Sequence, residues 1–339
     1  MSACASGQCI DGVGCVDCIP GQYTCRADKV LHCPQMAQYT WQILEDCDPA
    51  MGQGCDLAAK ACVELKPVGG VAPTGVYYQF ADFSNKGGVF KAGYDVDGWG
   101  DRLYVTRNGG IDVYRVELLD SDGDGLLEPN QHPDNPDAPG PIETRQLFFV
   151  EELPPFGPDD FKPAATELFA VHDRLYRGGG QITEYGLGNG VTQTSAPMEA
   201  WAVTFSHIGY DEVNGLWYAS NETARRVFQY DPAFGSWGIA FVYPELAGGH
   251  MDGLEVVVDP KSGTPYVYVS DMTSDFIGQY RFDPVVGWVQ ENLFGYAGTQ
   301  GAAVEGMGFG PLGHFWATSG ATLYEIGGGD LANYTEPPG

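Results

Sequence analysis

The chain is expected to be all-β: a five-bladed β-propeller preceded by a small disulfide-rich module. Three features predict it. A short aromatic strand motif recurs five times, glycine and proline are abundant between short strand-like runs, and every cysteine falls near the front. The recurring motif reads LYVTR at 103–107, LYRGG at 175–179, WYASN at 217–221, VYVSD at 267–271 and FWATS at 315–319. A second apolar run follows each one, at 111–116, 182–185, 227–230, 277–280 and 322–326. Repetition of this kind marks equivalent supersecondary units that bury their faces against one another. The 48 glycines and 23 prolines sit between these runs and favour strands and turns over helices.

The front of the chain, residues 1–65, reads as a separate module. Its nine cysteines lie between Cys4 and Cys62, and none follow. Small modules that cannot bury enough apolar surface are stapled in this way in oxidising compartments. A lone CxxC, Cys15 to Cys18, lacks the second pair that a zinc site needs. Disulfides are therefore expected among Cys9, Cys15, Cys18, Cys25, Cys33, Cys47, Cys55 and Cys62. Eight cysteines permit 105 pairings, and the sequence does not choose among them. Cys4 is the odd one out. Small residues precede it, as in a bacterial lipoprotein signal, so it is expected to carry lipid or to pair with a partner chain. The spacing of Cys18, Cys25, Cys33, Cys47, Cys55 and Cys62, with Tyr39 and Trp41 between them, resembles a cysteine-rich module at the front of secreted bacterial surface proteins. That resemblance implies location and no chemistry. Residues 66–75, rich in Pro and Gly, read as a linker.

The propeller is expected over 76–335. The last three spacings between aromatic motifs fall near the roughly 40–50 residues of one four-stranded blade. Inner strands are expected at 89–94, 167–171, 200–205, 254–258 and 306–309, and outer strands at 146–150, 238–243 and 289–294. The last repeat lacks an outer strand, whereas 76–83 precedes the first blade without one of its own. That segment is expected to complete the final blade and close the ring, which protects the edges of an open sheet. Six blades would follow if two repeats are merged in this count. Trp237 and Trp288 occupy matching places and read as packing residues. His172, His207 and His314 are expected where first and second strands turn.

Charge narrows the functional classes. Seventeen Lys and Arg against 45 Asp and Glu give a net charge of −28, which argues against nucleic acid and anionic membranes as partners. No apolar run approaches the ~20 residues needed to span a bilayer. The sharpest local motif is Asp120, Asp122, Asp124 and Glu128 at loop positions 1, 3, 5 and 9, with Gly125 at the turn and the Leu126 carbonyl at position 7. Carboxylates this close need a divalent cation among them, and the pattern is that of a calcium loop. Gln131 at position 12 is not the bidentate acid of an EF-hand. The loop resembles the DxDxDG loops in hairpins of integrin-type propellers, which implies a structural calcium.

A second constellation comes from aligning the repeats. Glu167, Glu199, Asp252 and Glu305 each stand one or two residues before the apolar part of an inner strand and are expected to ring one mouth of the channel, with Gly88 breaking the series. Asn221 and Asp271 end second strands at the same mouth. With Asp252 and Glu305 they form an all-oxygen set suited to calcium. The runs around Asn221, Asp252, Asp271 and Glu305 resemble the calcium-dependent propellers of the gluconolactonase and paraoxonase superfamily. That resemblance implies a channel calcium polarising a lactone or ester carbonyl, although those enzymes have six blades. His250 is the histidine placed to act as a base in such an enzyme. No GxSxG elbow, HExxH helix or phosphate-cradling loop is present. The leading expectation is a secreted or surface-attached, calcium-stabilised, non-catalytic propeller that binds a glycan, a protein or copies of itself. A calcium-dependent lactonase or esterase is the alternative, and a self-assembling filament subunit the second alternative.

Overall fold

In the computed structural model, the residues described are 9–10, 14–16, 18–26, 29–35, 39–48, 51, 53–56, 59–64, 68–72, 76–81, 95–107, 110–133, 135, 138–153, 168–171, 174–177, 181–186, 192–197, 207–220, 225–243, 251–259, 262–271, 276–295, 306–319 and 322–326. Among them helix is limited to short turns such as Pro311–Gly313, and the rest of the regular structure is antiparallel strand.

Five of the sheets have four or more strands; each is an antiparallel meander, in chain order throughout in sheets II to IV and joined by an upstream strand in sheets I and V. Sheet I runs Val96–Trp99, Arg102–Arg107, Gly110–Leu119, Thr144–Leu153, and sheet II runs Leu168–Val171, Arg174–Arg177, Gln181–Gly186, Thr192–Pro197. Sheet III is His207–Asp211, Leu216–Ser220, Arg226–Asp231, Ser236–Val242, and sheet IV is Met251–Val258, Pro265–Asp271, Phe276–Asp283, Gly287–Gly295. Sheet V starts with Met307–Phe309, Phe315–Ser319 and Thr322–Ile326, and its fourth strand is Tyr78–Phe80 from far upstream. The first strands of consecutive sheets adjoin, and that of sheet V adjoins that of sheet I. In sheets I to IV a bulge interrupts the pairing of third and fourth strands, after Val113 and Gln279 in sheets I and IV and two residues earlier in the repeat, after Ile182 and Val227, in sheets II and III. A bulge increases the local twist of the strands that carry it.

The sheets pack face to face through apolar layers. Ile208, Val227 and Phe228 of sheet III meet Leu254, Val256 and Val267 of sheet IV. Tyr268 and Ile277 of sheet IV meet Met307 and Phe315 of sheet V, while Phe80, Trp316 and Leu323 meet Val96, Leu103, Tyr114 and Leu147 of sheet I. Trp237 packs beside Tyr230, and Trp288 lies against Tyr218 and Phe241, as expected of packing residues.

Two first strands differ from expectation. The strand paired with Arg102–Arg107 is Val96–Trp99, and the one paired with Leu216–Ser220 is His207–Asp211. The apolar runs at 89–94 and 200–205, expected in those places, lie outside the described residues. The reason is steric. Where first strands converge the backbone comes so close that a side chain is excluded. A Cβ on Gly308 would sit 2.3 Å from the Val96 carbonyl oxygen, and one on Gly209 would sit 2.6 Å from Val256 Cγ2. The first strands of sheets I and III therefore carry glycine and polar residues, and a search for apolar runs passes over them. His207 accordingly opens a first strand, not the turn after one, and it is buried.

The front module is a three-stranded sheet, Tyr23–Arg26, Lys29–His32, Gln42–Asp46, and a hairpin, Gln53–Asp56 with Ala61–Glu64. Its bridges are Cys18–Cys33, Cys25–Cys55 and Cys47–Cys62. Cys9 and Cys15 face each other across a two-stranded pairing, described here in backbone only, and Cys4 lies outside the described residues. The module rests on the fourth strand of sheet I. Residues 66–75 are more than a connector. Val68–Gly69 adds a fifth strand to sheet I, and Val71 bridges Gln79.

Candidate metal loop and channel layer

The insertion between the third and fourth strands of sheet I begins with the acidic loop. One oxygen each from Asp120, Asp122 and Asp124 lie within 4.8 Å of one another, and all three residues are exposed. The loop is shaped by its own carboxylates. Asp120 accepts the N–H groups of Gly123 at 2.6 Å and Gly125 at 2.9 Å, and Asp122 accepts that of Asp124 at 3.1 Å. Gly123 and Gly125 have φ of 81° and 88°, a left-handed backbone that only glycine adopts without strain. Leu126 donates its N–H to Asp124 at 2.8 Å, and its side chain is exposed. Glu128 does not join the three aspartates. Its carboxylate accepts from the Gln131 amide, and its N–H donates to Glu143 Oε2 at 2.6 Å.

The residues after the loop run into a buried polar network that sequence reasoning missed. Arg145 and Glu325 are both fully buried, with Nε to Oε2 at 2.8 Å and Nη2 to Oε1 at 3.2 Å. The guanidinium also donates to the Glu143 carbonyl at 2.7 Å and the Pro129 carbonyl at 2.6 Å. His314 Nδ1 lies 2.7 Å from Glu325 Oε1, and its Nε2 lies 2.8 Å from Asn130 Oδ1. Tyr77 stacks on His314 with ring centroids 4.3 Å apart and donates its hydroxyl to the Asn130 carbonyl. Burial alone would raise the Glu325 carboxyl, but Arg145 and His314 together hold it below the usual range. The network thus ties the insertion of sheet I to both chain segments that meet in sheet V.

A second polar layer lies along the first strands. Thr106, Ser220, Ser270 and Thr318 occupy equivalent places in their second strands, opposite Asp95, His207, Gly253 and Gly306. Thr106 Oγ1 exchanges hydrogen bonds with the main chain of Asp95. The hydroxyls of Ser220, Ser270 and Thr318 and His207 Nδ1 are buried without a partner among the described residues, and Asp95 Oδ2 lies 3.8 Å from that nitrogen. Deeper in, Asp97 and Glu255 hydrogen-bond to each other where sheets I, IV and V meet. Glu255 also accepts the N–H groups of Val256 at 2.7 Å and Phe309 at 3.3 Å, and Asp97 accepts that of Gly98 at 2.7 Å. Burial, then the neighbouring Asp97 charge and hydrogen bond, push the Glu255 carboxyl well above its ordinary range.

The residues singled out in sequence for the channel are placed only in part. Asp271 ends its strand opposite Met251, and Asp252 is the unpaired residue of a bulge between Met251 and Gly253. Both are described in backbone alone, at the same end of sheet IV. Asn221, Glu305, Glu167, Glu199 and His250 lie outside the described residues. The polar layer that is described, Ser220 and Ser270, sits one residue before Asn221 and Asp271.

No family model and no curated protein matches the sequence. Among solved structures, the chain is similar to a streptogramin B lyase at 11% identity, covering 77% of this chain and 96% of that one, with a TM-score of 0.40. It is similar to a luciferin-regenerating enzyme at 14% identity over 78% and 92% of the two chains, with a TM-score of 0.39. A protein of unknown function from Bacteroides thetaiotaomicron gives 11% identity over 91% and 84%, with a TM-score of 0.40. At TM-scores this low the likenesses carry no argument about activity. Among the described residues, no helix is long and apolar enough to cross a membrane.

Proposed function

We propose that this chain is an extracellular five-bladed β-propeller, stabilised by calcium, that works as a binding or surface-assembly protein and not as an enzyme. The observation that carries the reading is the loop at 120–128. Three exposed carboxylates lie within reach of a single ion, and main-chain N–H groups already hold Asp120, Asp122 and Asp124 in place. Oxygen donors on a loop of this size suit calcium, with Asp120, Asp122, Asp124 and the Leu126 carbonyl as ligands and Glu128 joining by exchanging Gln131 for the ion. The five meanders, their adjoining first strands and the pairing of Tyr78–Phe80 with Thr322–Ile326 support a ring closed by the upstream strand. Three disulfides support an oxidising compartment.

Calcium titration tests the reading. Binding to the folded chain alone stabilises by about 2.7 kcal/mol when the ion stands at a hundred times its Kd. The melting temperature is expected to rise with calcium and fall with chelator, and Asp122→Asn is expected to remove the shift. Equal melting under both conditions would refute the calcium. Turnover of lactones or aryl esters that Asp271→Ala abolishes would refute the non-catalytic role.

A further inference from the structure

In a four-stranded meander the first-to-second and third-to-fourth turns leave at the same end of the sheet. The chain then passes from each fourth strand to the next first strand at the other end, so successive sheets present these paired turns on one end of the molecule. That end carries a repeated tip. Asp211, Asp231, Asp259 and Asp283 each open a turn closed four residues later by a glycine of positive φ: Gly215, Gly235, Gly263 and Gly287. The aspartate side chain caps the turn, as when Asp231 accepts from Ala233 at 2.8 Å and Asp283 accepts from Val285 at 2.8 Å and Val286 at 3.1 Å. Cap and glycine build the turn, so the residues at its apex answer to no demand of the fold.

Several of those apices are nevertheless large and apolar. Phe234 is 82% exposed, Val285 89% and Val286 70%, and Val213 is exposed on the inner turn of sheet III. Leu126 and Leu127, in the third-to-fourth connection of sheet I, are exposed at the same end. Apolar side chains gathered on one face, where the fold would accept polar ones, mark a contact surface. The charge around them identifies the partner. Apart from the three aspartates of the metal loop, Asp101, Glu212, Asp231, Asp259 and Asp283 stand on this end among the described residues. The cations there whose side chains are described are all ion-paired: Arg102 to Asp101, Arg115 to Glu117, the buried Arg145 to Glu325, and Arg281 to Asp283 and Glu291. A second copy would bring another charge of −28, and anionic lipid would be repelled in the same way.

We infer that this apolar, acid-framed end is the docking face for a basic polypeptide segment that carries apolar side chains between its cations. The inference rests on the reading of the chain as a binding protein and names the partner class. Titrating the whole protein, by fluorescence anisotropy, against a Lys/Leu amphipathic peptide and a Lys/Ser peptide of equal length and charge tests it. The Lys/Leu peptide is expected to bind at least roughly tenfold tighter. The triple variant Phe234→Ser, Val285→Ser, Val286→Ser is expected to lose that preference while keeping the weaker Lys/Ser binding, since its caps and glycines are intact. Equal affinity for both peptides, or a preference that survives in the triple variant, would overturn it. So would binding to phosphatidylcholine vesicles, or self-association, that the triple variant loses. Because the peptide assay does not depend on calcium binding, its failure is distinguishable from failure of the calcium titration.

Discussion

Glu255 and Glu325 are both buried acids inside strands, and their surroundings drive them in opposite directions. Glu255 faces another carboxyl, Asp97, so burial and the like charge favour its protonated form. Glu325 faces Arg145 and His314, so despite burial it stays ionised to lower pH than usual. The linkage signs follow. A raised acid binds a proton in the folded state that the unfolded state gives up, so its stabilisation is complete below its ordinary pKa and declines as pH rises toward the folded value. A lowered acid does the reverse, and its stabilisation is lost as pH falls through the folded value. Denaturation midpoints followed upward from about pH 4.5 should therefore decline less steeply for Glu255→Gln than for the native chain, because the amide keeps a donor for Asp97 and has no proton to release. Parallel profiles for the two proteins would show that the carboxyl pair does not share a proton. Asp97 and Glu255 were hard to recognise in sequence because the first stands in a glycine-bearing first strand and the second inside an apolar run. A charged residue in the middle of such a run, as also at Glu325, was the available signal.

At the scale of elements, the insertion of sheet I is a brace across the join between sheets I and V. Arg145 opens the fourth strand of sheet I, yet its partners are Glu325 of sheet V and the Pro129 and Glu143 carbonyls of the insertion. Asn130, two residues past the metal loop, holds His314. An ion that orders residues 120–128 should therefore steady the pairing of Tyr78–Phe80 with Thr322–Ile326. Hydrogen exchange is expected to slow at those two strands when calcium is added, and to be indifferent to calcium in Arg145→Leu. That variant also leaves Glu325 buried with only His314 beside its carboxylate, at a cost of up to about 3–5 kcal/mol. If exchange at the join ignores calcium in the native chain while the ion binds, loop and join are mechanically separate. The repeated second strands and the upstream strand Tyr78–Phe80 of sheet V were legible because aromatic alternation and a missing outer strand are local signals. The fourth strand of sheet II, Thr192–Pro197, was not, because its sequence TQTSAP has no apolar run. The Arg145 network was not legible either, since its members are scattered from Tyr77 to Glu325 and only the fold brings them together.

At the scale of the whole molecule, the front module and the large sheets are held by different physics. The module has a small core, Val30 with Cys25, Cys47 and Cys55, and relies on three bridges that close loops with sequence separations of 15, 30 and 15. Cross-linking a loop of about 15 residues removes roughly 3 kcal/mol of unfolded-state entropy in the chain-entropy model. The sheets instead bury continuous apolar layers, and none of those layers contains a cysteine. Reduction should therefore dismantle the molecule in order. With a thiol reductant, proteolysis is expected to open within residues 23–64 first. The fourth strand of sheet I should be affected next, because the module rests on it through Tyr23–Arg26 and Gln53–Asp56. Sheets III and IV, whose shared layer includes Trp217, Trp237 and Phe241, should stay protected. Hydrogen exchange with and without reductant resolves this order strand by strand. Simultaneous loss of protection in the module and in sheets III and IV would mean that the disulfides stabilise the whole chain as one cooperative unit, and the division of labour argued from the cores would be wrong.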